Sequence, residues 1–294
     1  MKAKILIILL FTFKVSIAQK QFLNKKYAVS KRTYTYHKNK KKKLKLDFYK
    51  PKRIKKDVPL IVYVHGGSFS GGNRNDNNIV QFANEMAKRG FAFASVSYRL
   101  TMKKLGFGCQ TKSEEKINAF NYASEDISLA VKYLLKNKKK FNIKTNKIIL
   151  AGSSAGAEAI LNLVYVFDNK ILPRNFKFAG IISMAGAITT TENITQNNVI
   201  PIQLFHGTAD KLVPYNIAPH HYCQKNDVGF LKLFGSKAIA NRIKNINKSF
   251  YLYSINKGDH SWSGRPMHQC LDNILDFLYN DVLQKSKRQI TILI

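Results

Sequence analysis

The chain has 294 residues, 45% of them hydrophobic and 12% aromatic, which excludes a disordered or fibrous protein and suits a single globular domain. Its 49 Lys and Arg against 17 Asp and Glu give a formal charge of +32, a balance that raises nucleic acid as a partner. The lysines are spread through every segment among Asn and Ile, so the charge reads as compositional bias and solvated surface, and no nucleic-acid partner is expected.

At the N-terminus, Lys2 and Lys4 precede an apolar run from Ile5 to Phe13, and Ser16-Ile17-Ala18 supplies small residues. That is the pattern of a secretory signal peptide over residues 1–18, leaving 19–294 as one secreted or periplasmic domain. The apolar run is too short to span a membrane, and no later segment approaches ~20 apolar residues, so no stable membrane insertion is expected. Thirteen basic residues and one acid, Asp47, lie between Lys31 and Lys56. Two antiparallel strands from Thr33 to Tyr49 are predicted around a lysine tip, with Leu44, Leu46 and Phe48 alternating against Lys45, Asp47 and Tyr49.

Leu60 to Val64 is a short continuous apolar run of the kind buried on both faces in a parallel sheet, and it ends in His65-Gly66-Gly67. A helix from Ile79 to Lys88, ended by Gly90, and a strand from Phe91 to Val96 follow. Leu100 to Lys116 reads as a loop, and a helix is expected from about Ser124 to Asn137, with Ile127, Ala130, Val131, Leu134 and Leu135 on one face. Further strands are predicted at Ile148–Ala151, Phe178–Met184 and Ile202–Phe205, with Tyr251–Ile255 as the last. Helices are predicted at Ala155–Val166, at Lys237–Ile246 and after Leu271, and Tyr215 to Gly235 reads as irregular. This alternation implies an α/β fold: a mostly parallel central sheet of about eight strands, helices on both faces, and the antiparallel hairpin at one edge. The two long loops leave strands at their carboxyl ends, where open parallel sheets bind ligands. Of the three cysteines, Cys109, Cys223 and Cys270, the odd count leaves one thiol over, and all three single pairings stay open.

Gly152-Ser153-Ser154-Ala155-Gly156 lies immediately after a strand and before a helix. A nucleophilic serine on so sharp a turn needs tiny neighbours two residues away on either side, which Gly152 and Gly156 supply for Ser154 and not for Ser153. The turn aims the Ala155 N–H and the positive helix end at any oxyanion formed. Upstream, the glycines of His65-Gly66-Gly67-Ser68-Phe69 let the loop turn its N–H groups inward, making Gly67 and Ser68 the further candidate donors, with His65 fixing the loop. Asp210, after the strand at Phe205, lies where a carboxylate reaches back toward an imidazole, although an aspartate there also simply forms a turn. His260 is the one histidine in a glycine-containing loop after the Tyr251–Ile255 strand, and its neighbour Asp259 is poorly placed to orient its ring.

The order Ser154, Asp210, His260, with the His-Gly-Gly loop upstream and Tyr98-Arg99-Leu100 after the next strand, resembles the esterase/lipase branch of the α/β-hydrolase superfamily from about Leu44 to Leu283. Ser68 departs from the third glycine of the fuller loop in that branch but keeps its N–H. The resemblance implies acyl transfer through a Ser-His-Asp triad with no metal or organic cofactor, on small esters such as acetyl or feruloyl groups of polysaccharides. Phe69 and Trp262 are expected to line the substrate pocket. His220-His221-x-Cys223 reads as structural rather than metal-binding. An amide-cleaving enzyme with the same triad, and a non-catalytic binding protein on this scaffold, are the alternatives.

Overall fold

The computed structural model describes residues 24–38, 43–54 and 56–294. The expected signal peptide and most of the lysine tip, Lys40 to Lys42, fall outside these residues.

Strands β1 (Val29–Lys38), β2 (Lys43–Pro51), β3 (Val58–Val64), β4 (Ala92–Val96), β5 (Ile143–Ser153), β6 (Gly180–Met184), β8 (Ile202–Gly207), β11 (Phe250–Ile255) and β12 (Gln289–Leu293) form one nine-stranded sheet. Its order is β1-β2-β4-β3-β5-β6-β8-β11-β12. The β1–β2 and β2–β4 pairs are antiparallel and every later pair is parallel. A small antiparallel sheet of β7 (Ala187–Ile188), β10 (Lys232–Gly235) and β9 (Ile217–Pro219) lies apart from it.

All seven residues of β3 are buried because each face of the sheet is covered. Successive side chains of a strand point to opposite faces. Leu60, Val62 and Val64 accordingly join one apolar cluster with α2 (Ser113–Lys136), α3 (Ala155–Tyr165) and α4 (Ser236–Asn245). Ile61 and Tyr63 join the other, with α1 (Asn77–Lys88) and α5 (Leu271–Phe277). A parallel strand so sandwiched carries no polar outer face, which is why its sequence is a run rather than an alternation.

Three expectations need correction. Helix α2 begins at Ser113, eleven residues before the expected Ser124, so the preceding loop ends sooner. Its first buried set is Lys116, Ala119, Phe120 and Ala123, and a lysine at the leading position hides the apolar period. Glu114 and Glu115 favour a start there through the helix dipole. Secondly, β11 is not the last strand. Gln289–Leu293 pairs parallel with it, with Ile290 and Ile292 packed on the α1/α5 face, and makes the sheet nine strands wide. Thirdly, the Tyr215–Gly235 stretch is not wholly irregular, since it contains β9 and β10.

Candidate active site

Ser154 sits between β5 and α3 with φ 50° and ψ −123°, a left-handed conformation that costs a non-glycine residue roughly 1–3 kcal/mol. Its surroundings hold it there. The Ser154 N–H donates to the Met184 carbonyl at 2.8 Å, and Glu158 N–H donates to the Ser154 carbonyl at 2.9 Å. A Cβ on Gly152 would lie 2.5 Å from the Gly156 oxygen, and one on Gly156 would lie 2.1 Å from the Val64 oxygen. Both positions therefore require glycine. Ser153 is committed elsewhere, its hydroxyl donating to the Ser263 carbonyl at 2.6 Å.

The carboxyl ends of β5, β8 and β11 bring three side chains into line. Ser154 Oγ lies 2.8 Å from His260 Nε2, and His260 Nδ1 lies 2.7 Å from Asp210 Oδ2. Asp210 is fully buried, and its Oδ1 accepts the N–H groups of Leu212 at 2.9 Å and Val213 at 3.0 Å. Burial opposes its ionisation, but hydrogen bonds from His206 and His260 outweigh this and hold the carboxyl well below the usual carboxylate range. With an acceptor at Nδ1, His260 carries its proton there and turns a bare Nε2 toward the serine hydroxyl. Asp259 is not part of this line. Its carboxylate accepts the Ser261 N–H at 3.1 Å and the Ser261 hydroxyl, capping the turn that carries His260.

His206, which the sequence motifs do not mark, also reaches Asp210. It is fully buried, with Nε2 3.1 Å from the Val213 carbonyl and 3.3 Å from Asp210 Oδ2, and Nδ1 2.8 Å from Ser236 Oγ. Two acceptors at Nε2 place the proton on that nitrogen, so the ring braces Asp210 from behind. His206 lies in strand β8 and Asp210 in the turn after it, so no helical spacing announces this contact.

In the upstream loop, Gly67, Ser68 and Phe69 all have positive φ, at 112°, 52° and 54°. A Cβ on Gly67 would lie 2.4 Å from the Gly71 oxygen, and one on Gly66 would lie 2.9 Å from the Ser153 oxygen, so the loop is pressed onto the serine turn. His65 is buried, with Nδ1 2.8 Å from the Gly66 carbonyl, and its ring stacks on Tyr98 at 4.5 Å. The Tyr98 hydroxyl donates to the His65 carbonyl at 2.9 Å. Burial lowers the His65 pKa, which keeps the ring a neutral brace. Ser68 and Ala155 line the cleft together with Ser154 and His260, and Gly67 stands one residue behind.

Two expected pocket residues are elsewhere. Phe69 is fully buried, packed on Tyr98, Phe107 and Phe120, because its positive φ turns it into the core. Trp262 belongs to the apolar cluster on the α1/α5 face, with the Arg265 guanidinium 5.6 Å from its ring. The cleft walls are instead Phe107, Glu158, Leu212, Val213, His220 and His221, around a cavity of ≈ 10 Å³.

Phe107 and the two histidines belong to the two long loops, and a Cys109–Cys223 disulfide joins those loops. Cys270 is the free thiol and is buried. Lys116, buried under the loops, donates to the Gly229 carbonyl at 2.8 Å. Cys109, Cys223 and Asp227 are the group spaced for a metal among the described residues, but a disulfide offers no thiolate. Glu158 is buried beside Ser154, and desolvation with the nearby Asp210 charge pushes its pKa up to about 8. Burial and the neighbouring His221 and Lys116 hold His220 well below its ordinary value, and burial above all brings His221 down to about 4.

A serine on the strand-to-helix turn, aligned with a histidine and a buried aspartate at successive strand ends of this sheet, defines an α/β-hydrolase of the esterase/lipase type. The chain belongs to the BD-FAE family of α/β-hydrolases, whose family model matches residues 46–198. Among curated proteins it is similar to gut esterase 1 of Caenorhabditis briggsae, 25% identical over 52% of this chain and 27% of that protein. It is also similar to a fumonisin B1 esterase of Sphingopyxis macrogoltabida, 31% identical over 40% of this chain and 22% of that protein. The chain thus spans about a quarter of the length of these relatives. In fold it is similar to a propionate-bound esterase 2 of Thermogutta terrifontis, with a TM-score of 0.63 and 18% identity over 87% of this chain and 94% of that one. No helix among the described residues is long and apolar enough to cross a membrane.

Proposed function

We propose that the protein is a carboxylic-ester hydrolase that works through an acyl-enzyme on Ser154. The observation that carries this reading is the unbroken line from Ser154 Oγ through His260 to Asp210, at 2.8 Å and 2.7 Å. Ser154 Oγ attacks the ester carbonyl as His260 Nε2 takes its proton. Asp210 keeps the ring in the required tautomer and stabilises the imidazolium. The N–H groups of Ala155 and Ser68, with Gly67, take the developing oxyanion at the positive end of α3. His260 then protonates the departing alcohol, and water, activated by the same histidine, attacks the acyl-enzyme and releases the acid.

A cavity of ≈ 10 Å³ beside Ser154 favours acetyl-sized acyl groups over feruloyl ones. The N-terminal signal pattern and the Cys109–Cys223 disulfide support export to an oxidising compartment, where acylated polysaccharides are accessible substrates. The test is hydrolysis of p-nitrophenyl acetate by the protein and by Ser154→Ala. The variant should lose at least ~10⁴-fold in kcat while staying folded. Activity within tenfold of the parent, or fluorophosphonate labelling at Ser153 instead, would refute the assignment.

A further inference from the structure

The ester-hydrolase mechanism leaves two buried groups of the same cavity without a role. Glu158 Oε1 and His220 Nδ1 are buried and have no hydrogen-bond partner. The two side chains face each other, with His220 Nε2 3.5 Å from Glu158 Oε1, too far for a good hydrogen bond. An unpaired buried polar group is expensive, and Glu158 Oε1 calls for something that satisfies it; the ring nitrogen of His220 that faces it is Nε2, not the unpaired Nδ1.

Their position says what that is. Glu158 lies in the first turn of α3, four residues after Ser154. Both Glu158 and His220 line the cavity that Ser154, Ala155, Ser68 and His260 bound. That cavity, at ≈ 10 Å³, has room for about one water-sized group. His260, the proton donor to the leaving alcohol, is the accessible member of the line, with 22% of its side chain exposed, against 0% for Asp210. The alcohol therefore departs on the solvent side, and the enclosed side holds the acyl group. Phe107, with its ring 5.0 Å from that of His220, makes the apolar part of the wall.

We propose that Glu158 and His220 form a polar floor for the acyl group and that the preferred substrates are esters of 2-hydroxy acids, whose hydroxyl the floor binds. This inference rests on the ester-hydrolase reading. A hydroxyl next to the carbonyl lies over the pair rather than between them, since Glu158 Oε1 and His220 Nε2 are 3.5 Å apart, and it exchanges hydrogen bonds with both. Burial and the nearby Asp210 charge keep Glu158 protonated at neutral pH, and burial keeps His220 neutral, so the floor is uncharged and suits a neutral hydroxyl rather than an ammonium group.

Glycolate and propionate esters of one phenol test this, because HO–CH2 and CH3–CH2 are close in size. Each kcat/KM is divided by the rate constant for hydroxide-catalysed hydrolysis of the same ester, which removes intrinsic reactivity. The parent should favour glycolate by ~10-fold or more, since a site built for a hydroxyl rejects its methyl analogue. Glu158→Gln keeps a donor and an acceptor and should hold that ratio within about threefold, whereas Glu158→Leu should bring it below one. A parent ratio near one would overturn the floor and leave ester hydrolysis standing. No turnover of either ester would also overturn the floor, and failure of Ser154 to react with a fluorophosphonate would overturn the ester-hydrolase reading with it.

Discussion

Replacing Glu158 by Gln should make the protein more stable at neutral pH, by an amount that depends on pH in a defined way. The Glu158 carboxyl titrates near 4.5 in an unfolded chain and near 8 in the fold, where desolvation and the Asp210 charge disfavour ionisation. Between those values the folded state holds a proton that the unfolded state releases. Stability from this site is thus fully present below pH 4.5 and falls as pH rises to about 8. The slope is about 1.4 kcal/mol per pH unit, so at pH 7 the native glutamate costs about 3 kcal/mol relative to a group that does not ionise. Gln has nearly the same shape, offers a donor and an acceptor, and carries no such cost. Urea unfolding of both proteins at pH 4.5, 6, 7 and 8 should show curves that coincide at the lowest pH and separate progressively above it. At pH 7 the midpoint of thermal unfolding should rise by roughly 5–10 °C. A stability difference that does not change with pH would refute the reasoning, because it would mean that Glu158 does not hold its proton in the fold.

Asp210→Asn should reduce kcat by ~10³–10⁴-fold by favouring the wrong His260 tautomer, while Asp259→Asn should change it by less than about threefold; steady-state kinetics of the two variants decide the pair. His206→Phe, which takes one donor from a buried carboxylate, should lower unfolding stability by ~1–3 kcal/mol in urea titrations. The Cys109→Ser, Cys223→Ser double variant should lose ~2–5 kcal/mol of stability and show a raised KM as the Phe107 and His220 walls separate, and the parent should respond alike to dithiothreitol. Changing Lys40 to Lys43 to Gln should leave kcat/KM on a neutral aryl ester within about twofold, since the β1–β2 edge lies across the sheet from the site and exposed charges beyond ~8–10 Å are screened. A large loss that salt does not alter would mean that the hairpin shapes the pocket.

Features set by neighbours in sequence were the legible ones. The serine turn is a local steric problem, and Gly152 and Gly156 answer it within five residues, so its position between strand and helix could be read directly. The buried strands are legible for a similar reason: a segment covered on both faces has no use for a polar residue, and Leu60 to Val64 carries none. Lys116 shows where such reading stops. It is buried in α2 because Gly229, more than a hundred residues away, supplies a carbonyl for its ammonium, and no local pattern announces that bond. β12 is similar, since Gln289–Leu293 is a strand only because β11 leaves an edge for it.

The cleft divides along the same line. By itself the sequence determined an α/β order of elements and the strand-end loops that carry Ser154, Asp210 and His260, because glycine spacing and hydrophobic runs act over a few residues. Only the tertiary structure decided that His206 braces Asp210 and that Cys109 pairs with Cys223. It also turned Phe69 and Trp262 into the core and set Phe107, Glu158 and His220 around the serine. These are relations between segments far apart in the chain. Each depends on which strand ends meet and which way a loop turns, and that is decided by packing across the whole sheet rather than by the residues on either side.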